Sequence, residues 1–353
     1  MRFKNVLCLS STIVATVIGA GFATGQEIYS FFNRYGKWSF VGLLLVLIVF
    51  CSVFRYVLEA CCFNRLDGFS ALLMHLHMRK AGKWMENGVG LFSFCGFCAM
   101  ASASGTLVSQ TLDLPYMYGV LAMLAICGVI LSFDIRALAG ANCVLAPVIC
   151  VGLIYYALYG VMFRSVATLS QGHYYVNAAQ IFVSAIVYAS YNLLSAVVVL
   201  CAMRRYCDSE RTIHMASGIS ASVLVIVALL LWFVIYIYQN KIALGEIPML
   251  QIASRGGKMH QYIYSGLLFM SVYTTAVSCG FAVLDFLRKH FRVSTGFGIG
   301  FLIVLACPVC LLGFSGIVRV LYSVFGYLGL PFLIILIFSQ IKLSRKTKRS
   351  QKL

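Results

Sequence analysis

Thr16-Val17-Ile18-Gly19-Ala20-Gly21-Phe22-Ala23-Thr24-Gly25-Gln26-Glu27 is the stretch on which the reading of this chain turns. It lies inside a mainly apolar run from Val6 to Phe32, long enough to cross a bilayer as a helix. Each of its three glycines costs a helix about 1 kcal/mol relative to alanine, and glycine lets backbone approach a ligand closely. Glycines in membrane helices also form packing seams, but the neighbouring Thr24, Gln26 and Glu27 favour an interruption at Gly19, Ala20 and Gly21. A spanning helix breaks only where protein or a water-filled cavity satisfies the freed carbonyls and amides, so the break marks a candidate solute site. Glu27 is the most informative single residue, because a carboxylate inside a span is expensive and points to function. Its competing reading is a position near the outer interface, paired with Arg34 or Lys37.

The composition around this stretch excludes a water-soluble domain. Of 353 residues, 61% are hydrophobic and 10% charged, against roughly 25% charged in soluble proteins, and the mean hydropathy is +0.94. Long unbroken apolar runs such as Val41 to Val53 exclude the alternating pattern of a membrane barrel. Apolar windows between charge clusters predict helical spans near 6–32, 39–62, 87–111, 115–133, 140–163, 177–201, 214–238, 260–287, 295–313 and 317–341. Arg2 and Lys4 before the first run suggest a signal peptide, but the run continues past any cleavage site and reads as a retained helix.

Charge tests this count. The net charge is +17, from 27 Lys and Arg against 10 Asp and Glu. With the N-terminus in the cytoplasm, only Arg34, Lys37, Arg164, Lys241, Arg255, Lys258 and Arg319 fall outside, a split of about 20 to 7. Both termini are then cytoplasmic, and the tail 342–353 becomes a basic segment suited to anionic lipid in the bilayer. The basic residues form no patch interleaved with exposed aromatics, so no nucleic-acid partner is expected. Cysteines such as Cys51, Cys127, Cys150 and Cys279 lie in apolar runs and read as packing residues. Cys95-x-x-Cys98 and Cys307-x-x-Cys310 have metal or redox spacing, but they lie within spans and lack nearby histidines.

A second polar interruption, Ser184-Ala185-Ile186-Val187-Tyr188-Ala189-Ser190-Tyr191-Asn192, occupies the sixth span, followed by Ser195. It lies about 170 residues after the first, near half the chain, as expected of an inverted repeat of two five-helix halves. A second pair keeps that offset: Ser102, Ser104, Thr106 and Ser109 on the third span, and Ser271, Thr274, Thr275 and Ser278 on the eighth. The organisation predicted is a single transmembrane domain, with a first repeat over 6–163 and a second over 177–341. Its first and sixth helices are expected to be broken.

Val17 to Glu27, with Phe31-Phe32 after it, resembles the opening signature of the YkvI-like bacterial membrane proteins, and Tyr188-Ala189-Ser190-Tyr191-Asn192 resembles their sixth-helix motif. That family is similar in turn to the amino acid, polyamine and organocation transporters of the leucine-transporter fold. The resemblance implies a bacterial cytoplasmic-membrane protein in which spans one, two, six and seven rock against three, four, eight and nine. It implies a substrate site at Gly19, Ala20, Gly21, Thr24, Gln26 and Glu27 facing Tyr188, Ser190, Tyr191 and Asn192. It also implies a sodium site between the carbonyls of Val17 and Ala20 and the hydroxyls of Thr274, Thr275 and Ser278. Oxygen ligands suit that hard cation, and the alternative is Ser and Thr bonded to their own helix backbone. Proton-driven relatives use a fifth-helix lysine, but the fifth span here holds no charge, so sodium is favoured, with protonation of Glu27 still open. An outer gate is expected from Glu27 and Arg319; Arg319 also reads as an interfacial anchor.

The function expected is secondary transport of a small polar solute, an amino acid or related amine, whose carboxylate meets the positive end of the outer first-helix segment. No cofactor beyond a possible sodium ion is implied. An enzyme is disfavoured, because the six histidines all fall in loops or at span ends and no nucleophile has an oriented base. A pore would need a charge ring or filter repeat. The remaining rival is a sensor that keeps the transporter fold without transport. Oligomeric state cannot be read from small-residue seams, which packing and subunit contacts share.

Overall fold

The computed structural model describes residues 2–66, 68–78, 81–133, 135–162, 177–238 and 246–350. Arg79, Lys80, Arg164, Lys241 and Lys352, used in the charge count, lie outside them.

The first predicted span forms as three pieces, α1 (Arg2–Val17), α2 (Ala20–Ala23) and α3 (Gln26–Phe31). Gly19 is extended, with φ −91° and ψ −172°, and its N–H donates to Val17 O at 2.9 Å in place of the helical partner. A second kink follows at Gly25, whose φ of +80° is the left-handed conformation that glycine alone adopts freely. The carbonyls these kinks release are met by other elements. Ser271 Oγ donates to Ile18 O at 3.0 Å and Tyr264 Oη to Ala23 O at 2.6 Å. The backbone N–H of Met249 donates to Thr24 O at 3.0 Å.

The other predicted spans form as α4 (Phe40–Phe63), α6 (Ala81–Leu112), α7 (Tyr116–Ile130), α8 (Ile135–Met162), α9 (Ala178–Ala202), α10 (Glu210–Tyr238), α12 (Lys258–Phe291), α13 (Thr295–Cys310) and α14 (Phe314–Val320), the last running on through a π-helical turn at Leu321–Phe325 into α15 (Gly326–Ser350). Two short connecting helices, α5 (Phe69–His75) and α11 (Pro248–Ser254), were not predicted. Among the described residues six helices are long and apolar enough to cross a membrane alone; α1, α7 and part of α15 are shorter apolar helices, and α13 turns through 103° into α14. Caps fix several starts. Asn177 accepts from Ala179 N–H at 3.0 Å and Ser294 from Phe297 N–H at 3.4 Å.

The sixth helix corrects the expectation of a second break. α9 is continuous from Ala178 to Ala202. It contains neither glycine nor proline, and its serine and asparagine side chains bond outward or along their own helix. Ser184 Oγ donates to Phe31 O at 2.7 Å, Ser190 Oγ to Gly326 O at 2.8 Å, and Asn192 Nδ2 to Tyr188 O at 3.0 Å. These bonds fasten α9 to the outer end of the first span and to α15 without opening the helix.

The helices pack in two groups. In one, α1 and α4 each pack against α9 and α10; in the other, α6, α7, α12 and α13 all contact one another. These are the two four-helix sets expected from the resemblance. α8 bridges them, and α12 lies along both α1 and α2. Close packing inside the second set depends on Gly119, where a Cβ would lie 2.8 Å from Gly105 Cα and closer still to Ser104 O. Neither backbone can yield. Gly119→Leu should force α6 and α7 apart and cost about 1–3 kcal/mol, read as a lowered melting temperature in detergent. Gly300→Leu, with open space around it, should leave that temperature unchanged.

Candidate functional site

The break at Gly19 opens onto a cavity of about 100 Å³ walled by α1, α6, α9, α12 and the turn after α14. Of the expected solute contacts, Gly19, Gly21, Glu27, Tyr191 and Asn192 line it. Glu27 is 6% exposed, and it is the only charged side chain of that lining among the described residues. Its carboxylate lies directly over Gly21: a Cβ there would collide with Glu27 Oε1 and Tyr322 Oη and lie 2.8 Å from Glu27 Cγ. The competing reading of Glu27, an interfacial pair with Arg34 or Lys37, is not realised. Arg34 stacks over Tyr35 at 4.8 Å and Lys37 over Trp38 at 5.8 Å.

Burying a carboxylate costs several kcal/mol unless its oxygens are partnered. Here Glu27 Oε2 is buried without a hydrogen bond, as are the hydroxyls of Tyr188, Tyr191, Thr275 and Tyr322. The Tyr191 and Tyr322 hydroxyls face the carboxylate but make no bond of standard geometry with it. A pocket with this many unmet donors and acceptors is built to receive something polar.

The remaining expected residues have other work. Thr24 Oγ1 donates to Gly21 O at 3.1 Å and accepts from Gln26 N–H at 3.3 Å, bracing the turn between α2 and α3. Gln26 Nε2 reaches Ser315 Oγ at 3.4 Å, and Ser190 holds Gly326. Tyr188 packs edge-on to Phe31 and Phe32 at 5.4 and 5.2 Å. Ala20 is fully buried away from the cavity.

Four of the five groups expected to hold sodium are engaged in backbone hydrogen bonds. Val17 O takes the Gly19 N–H, and Ala20 O takes the Thr24 N–H at 2.8 Å. Thr274 Oγ1 donates to Ser271 O at 3.0 Å and Ser278 Oγ to Thr274 O at 2.8 Å, so both are bonded to their own helix. Thr275 Oγ1 alone is an unpartnered hydroxyl beside the break, 3.4 Å from where a Gly19 Cβ would stand. Among the described residues no three His, Cys, Asp or Glu side chains are placed to hold a metal ion. Cys98 and Cys310 make a packing contact between α6 and α13, Cys310 Sγ to Cys98 O at 3.5 Å.

Two of the larger cavities that adjoin the central one open on opposite faces. One of about 810 Å³ opens toward the face carrying the N-terminus and shares Thr16, Val198, Val199, Ser278 and Ala282 with it. The other, about 700 Å³, opens on the opposite face and shares only Val318 and Tyr322. Between that vestibule and the centre stands Phe31, ring to ring with Tyr188, Tyr191 and Tyr322 at 5.4, 5.7 and 5.2 Å. Each such pair contributes about 0.5–1.5 kcal/mol beyond its buried area. The expected Glu27–Arg319 ion pair is not formed, because Arg319 is exposed in the vestibule and Tyr322 separates it from the buried carboxylate.

The sequence reading missed Tyr322 and Tyr264. Tyr264 was detectable, since it shares a face of α12 with Ser271, Thr275 and Ser278 at spacings of 7, 11 and 14 residues. Tyr322 gives no such signal.

A leucine-transporter arrangement requires a broken first helix whose carbonyls rest on the eighth span, beside a central cavity, and all three are present. The fold is of the leucine-transporter type. Over 95% of its length the chain superposes on a manganese transporter of Eremococcus coleocola, with a TM-score of 0.66 and 12% identity, covering 79% of that chain. It matches MhsT in complex with L-phenylalanine with a TM-score of 0.67 and 14% identity, over 94% of this chain and 87% of the other. A Na+-coupled sialic acid symporter gives a TM-score of 0.71 at 9% identity, over 94% and 78%. In sequence the chain is similar to the Bacillus subtilis (strain 168) membrane protein YkvI, 24% identical over 334 residues, covering 92% of this chain and 93% of YkvI. It is also similar to YyaD of the same organism, 23% identical over 339 residues, covering 93% and 95%. Neither protein has an assigned function, and no family model matches the chain. It is a multi-pass membrane protein.

Gly21 has no room for a side chain without displacing Glu27 and Tyr322. Gly21→Leu should therefore abolish solute binding and lower the melting temperature of the empty protein, by about 1–3 kcal/mol of overpacking, while membrane insertion is retained; binding at wild-type strength would remove the break from the site.

Proposed function

We propose that the chain is a secondary transporter of a small amine-bearing solute, working by alternating access in the bacterial cytoplasmic membrane with both termini in the cytoplasm. One observation carries this reading: a buried carboxylate in the cavity at the helix break, with its Oε2 unpartnered and unpartnered hydroxyls around it. The sequence reading had the solute's carboxylate meet the start of the outer first-helix segment. Glu27 places the chain's own carboxylate there, and the complement of its ionised form is a cationic group on the solute. An ammonium group satisfies the acidic oxygen and the tyrosine hydroxyls together, and the faces of Tyr191 and Tyr322 add cation–π attraction.

A cavity of about 100 Å³ is smaller than an engineered cavity of about 150 Å³ that admits benzene, which suits a head group and little more. One carboxylate is a poor cage for a divalent cation, so the manganese of the structural neighbour is not carried over. The vestibule toward the N-terminal face and the aromatic plug on the other side support an inward-facing state of a rocking-bundle cycle. Sodium coupling enters this proposal through Thr275 alone, and proton coupling through Glu27.

The test is thermal unfolding of the purified protein across a panel of amino acids and amines, each in sodium and in potassium. A solute at 100 times its dissociation constant should stabilise the protein by about 2.7 kcal/mol. Glu27→Gln should abolish that shift while leaving the empty protein equally or more stable, because it removes a buried charge. A shift that needs sodium and disappears in Thr275→Ala assigns sodium coupling; equal shifts in both salts that weaken as Glu27 is held in one protonation state by pH assign the proton. No shift with any solute, from a folded protein, would favour the sensor reading.

A further inference from the structure

The vestibule on the face opposite the N-terminus is cationic. Among the described residues its lining contains Arg34 and Arg319 and no acidic side chain, with Gln26, Gln180, Ser184 and Ser315 among its polar groups. Arg34 is engaged by Tyr35, through both a hydrogen bond and ring stacking. Arg319 makes no ion pair, hydrogen bond or ring contact among the described residues. Gln26 Oε1, in the same wall, is buried without a partner.

Arg319 and Tyr322 are three residues apart on one face of a continuous helix, and both line this cavity. Tyr322 also lines the central cavity, where its hydroxyl meets the Glu27 carboxylate. A path inward from the vestibule therefore passes a free guanidinium, then a tyrosine that serves as the partition, then a carboxylate with one unpartnered oxygen. This order, positive outside and negative inside, matches a solute with a carboxylate at one end and an ammonium at the other. A guanidinium fork fits a carboxylate bidentately, and a cationic funnel with low-dielectric walls raises the local concentration of anions.

We propose that Arg319 captures the carboxylate of a zwitterionic solute in the outer vestibule and so selects amino acids over the corresponding decarboxylated amines. The inference rests on the amine reading of the central site and adds the second charge of the substrate. It gives Arg319 a role in specificity in place of the gate expected from the resemblance. The solute docks by its carboxylate at Arg319, and its ammonium reaches Glu27 once the Phe31 and Tyr322 rings part.

Isothermal calorimetry on the full-length protein tests it, using each of the twenty common amino acids against its decarboxylated amine. In wild type the preferred amino acid should bind at least 10-fold more tightly than its amine. Arg319→Gln should weaken the amino acid at least 10-fold and leave the amine within 2-fold, with Arg319→Lys intermediate. Glu27→Gln should weaken both. Equal effects of Arg319→Gln on acid and amine, or no effect on either, overturn the inference while leaving the central amine site standing. A wild type that binds neither class overturns both. If Arg319 is only an interfacial anchor, its substitution lowers the melting temperature of the empty protein without separating the two ligands.

Discussion

A helix that stops in the interior of a bilayer leaves carbonyls with no water to meet them, and everything central in this molecule depends on how they are met. Ile18 O rests on Ser271, Ala23 O on Tyr264 and Thr24 O on the backbone of Met249. An unmet carbonyl here costs about 1–3 kcal/mol or more, so the three bonds together decide whether the interruption can exist. They also dictate its address. Two of the three donors belong to α12 and the third to α11, so the broken helix is fixed against the second group of helices at the point where the two groups meet.

The second constraint is electrostatic. Once Gly21 opens the backbone, the nearest side chain able to fill the space is Glu27, and it brings a charge with it. The stabilisation this group lacks from the protein has to come from a visiting molecule, which is how a binding site differs from a buried ion pair. Tyr188, Tyr191 and Tyr322 surround the carboxylate with hydroxyls and ring faces, so the pocket is acidic, aromatic and small at once.

Much of this was legible in the amino-acid order, and the exceptions have identifiable causes. The ten predicted spans each meet a helix, because apolar length and charge clustering are strong signals in a membrane chain. The first break was visible because Gly19, Gly21 and Gly25 act on the backbone itself. The sixth helix looked broken for the wrong reason: Ser184, Ser190 and Asn192 are polar, but polarity in a span is satisfied as readily by a neighbouring carbonyl as by unwinding. The two adjacent threonines show a different limit. Thr275 faces the cavity and Thr274 does not, a matter of about 100° of helix phase that residue types alone do not reveal. Tyr322 was invisible because a tyrosine near one end of an apolar run reads as an interface anchor.

That tyrosine sits in the π-helical turn Leu321–Phe325. A π turn closes its hydrogen bonds one residue further along than an α turn, so the tenth span carries one residue of slack within an otherwise continuous rod. Moving that slack along the chain by a residue turns the side chains it passes by about 100° about the axis, with the rest of the ladder intact. Tyr322, the partition between the two cavities, is therefore mounted on a swivel, and the passage from vestibule to centre can open by rotation of one ring without dismantling the helix that holds it.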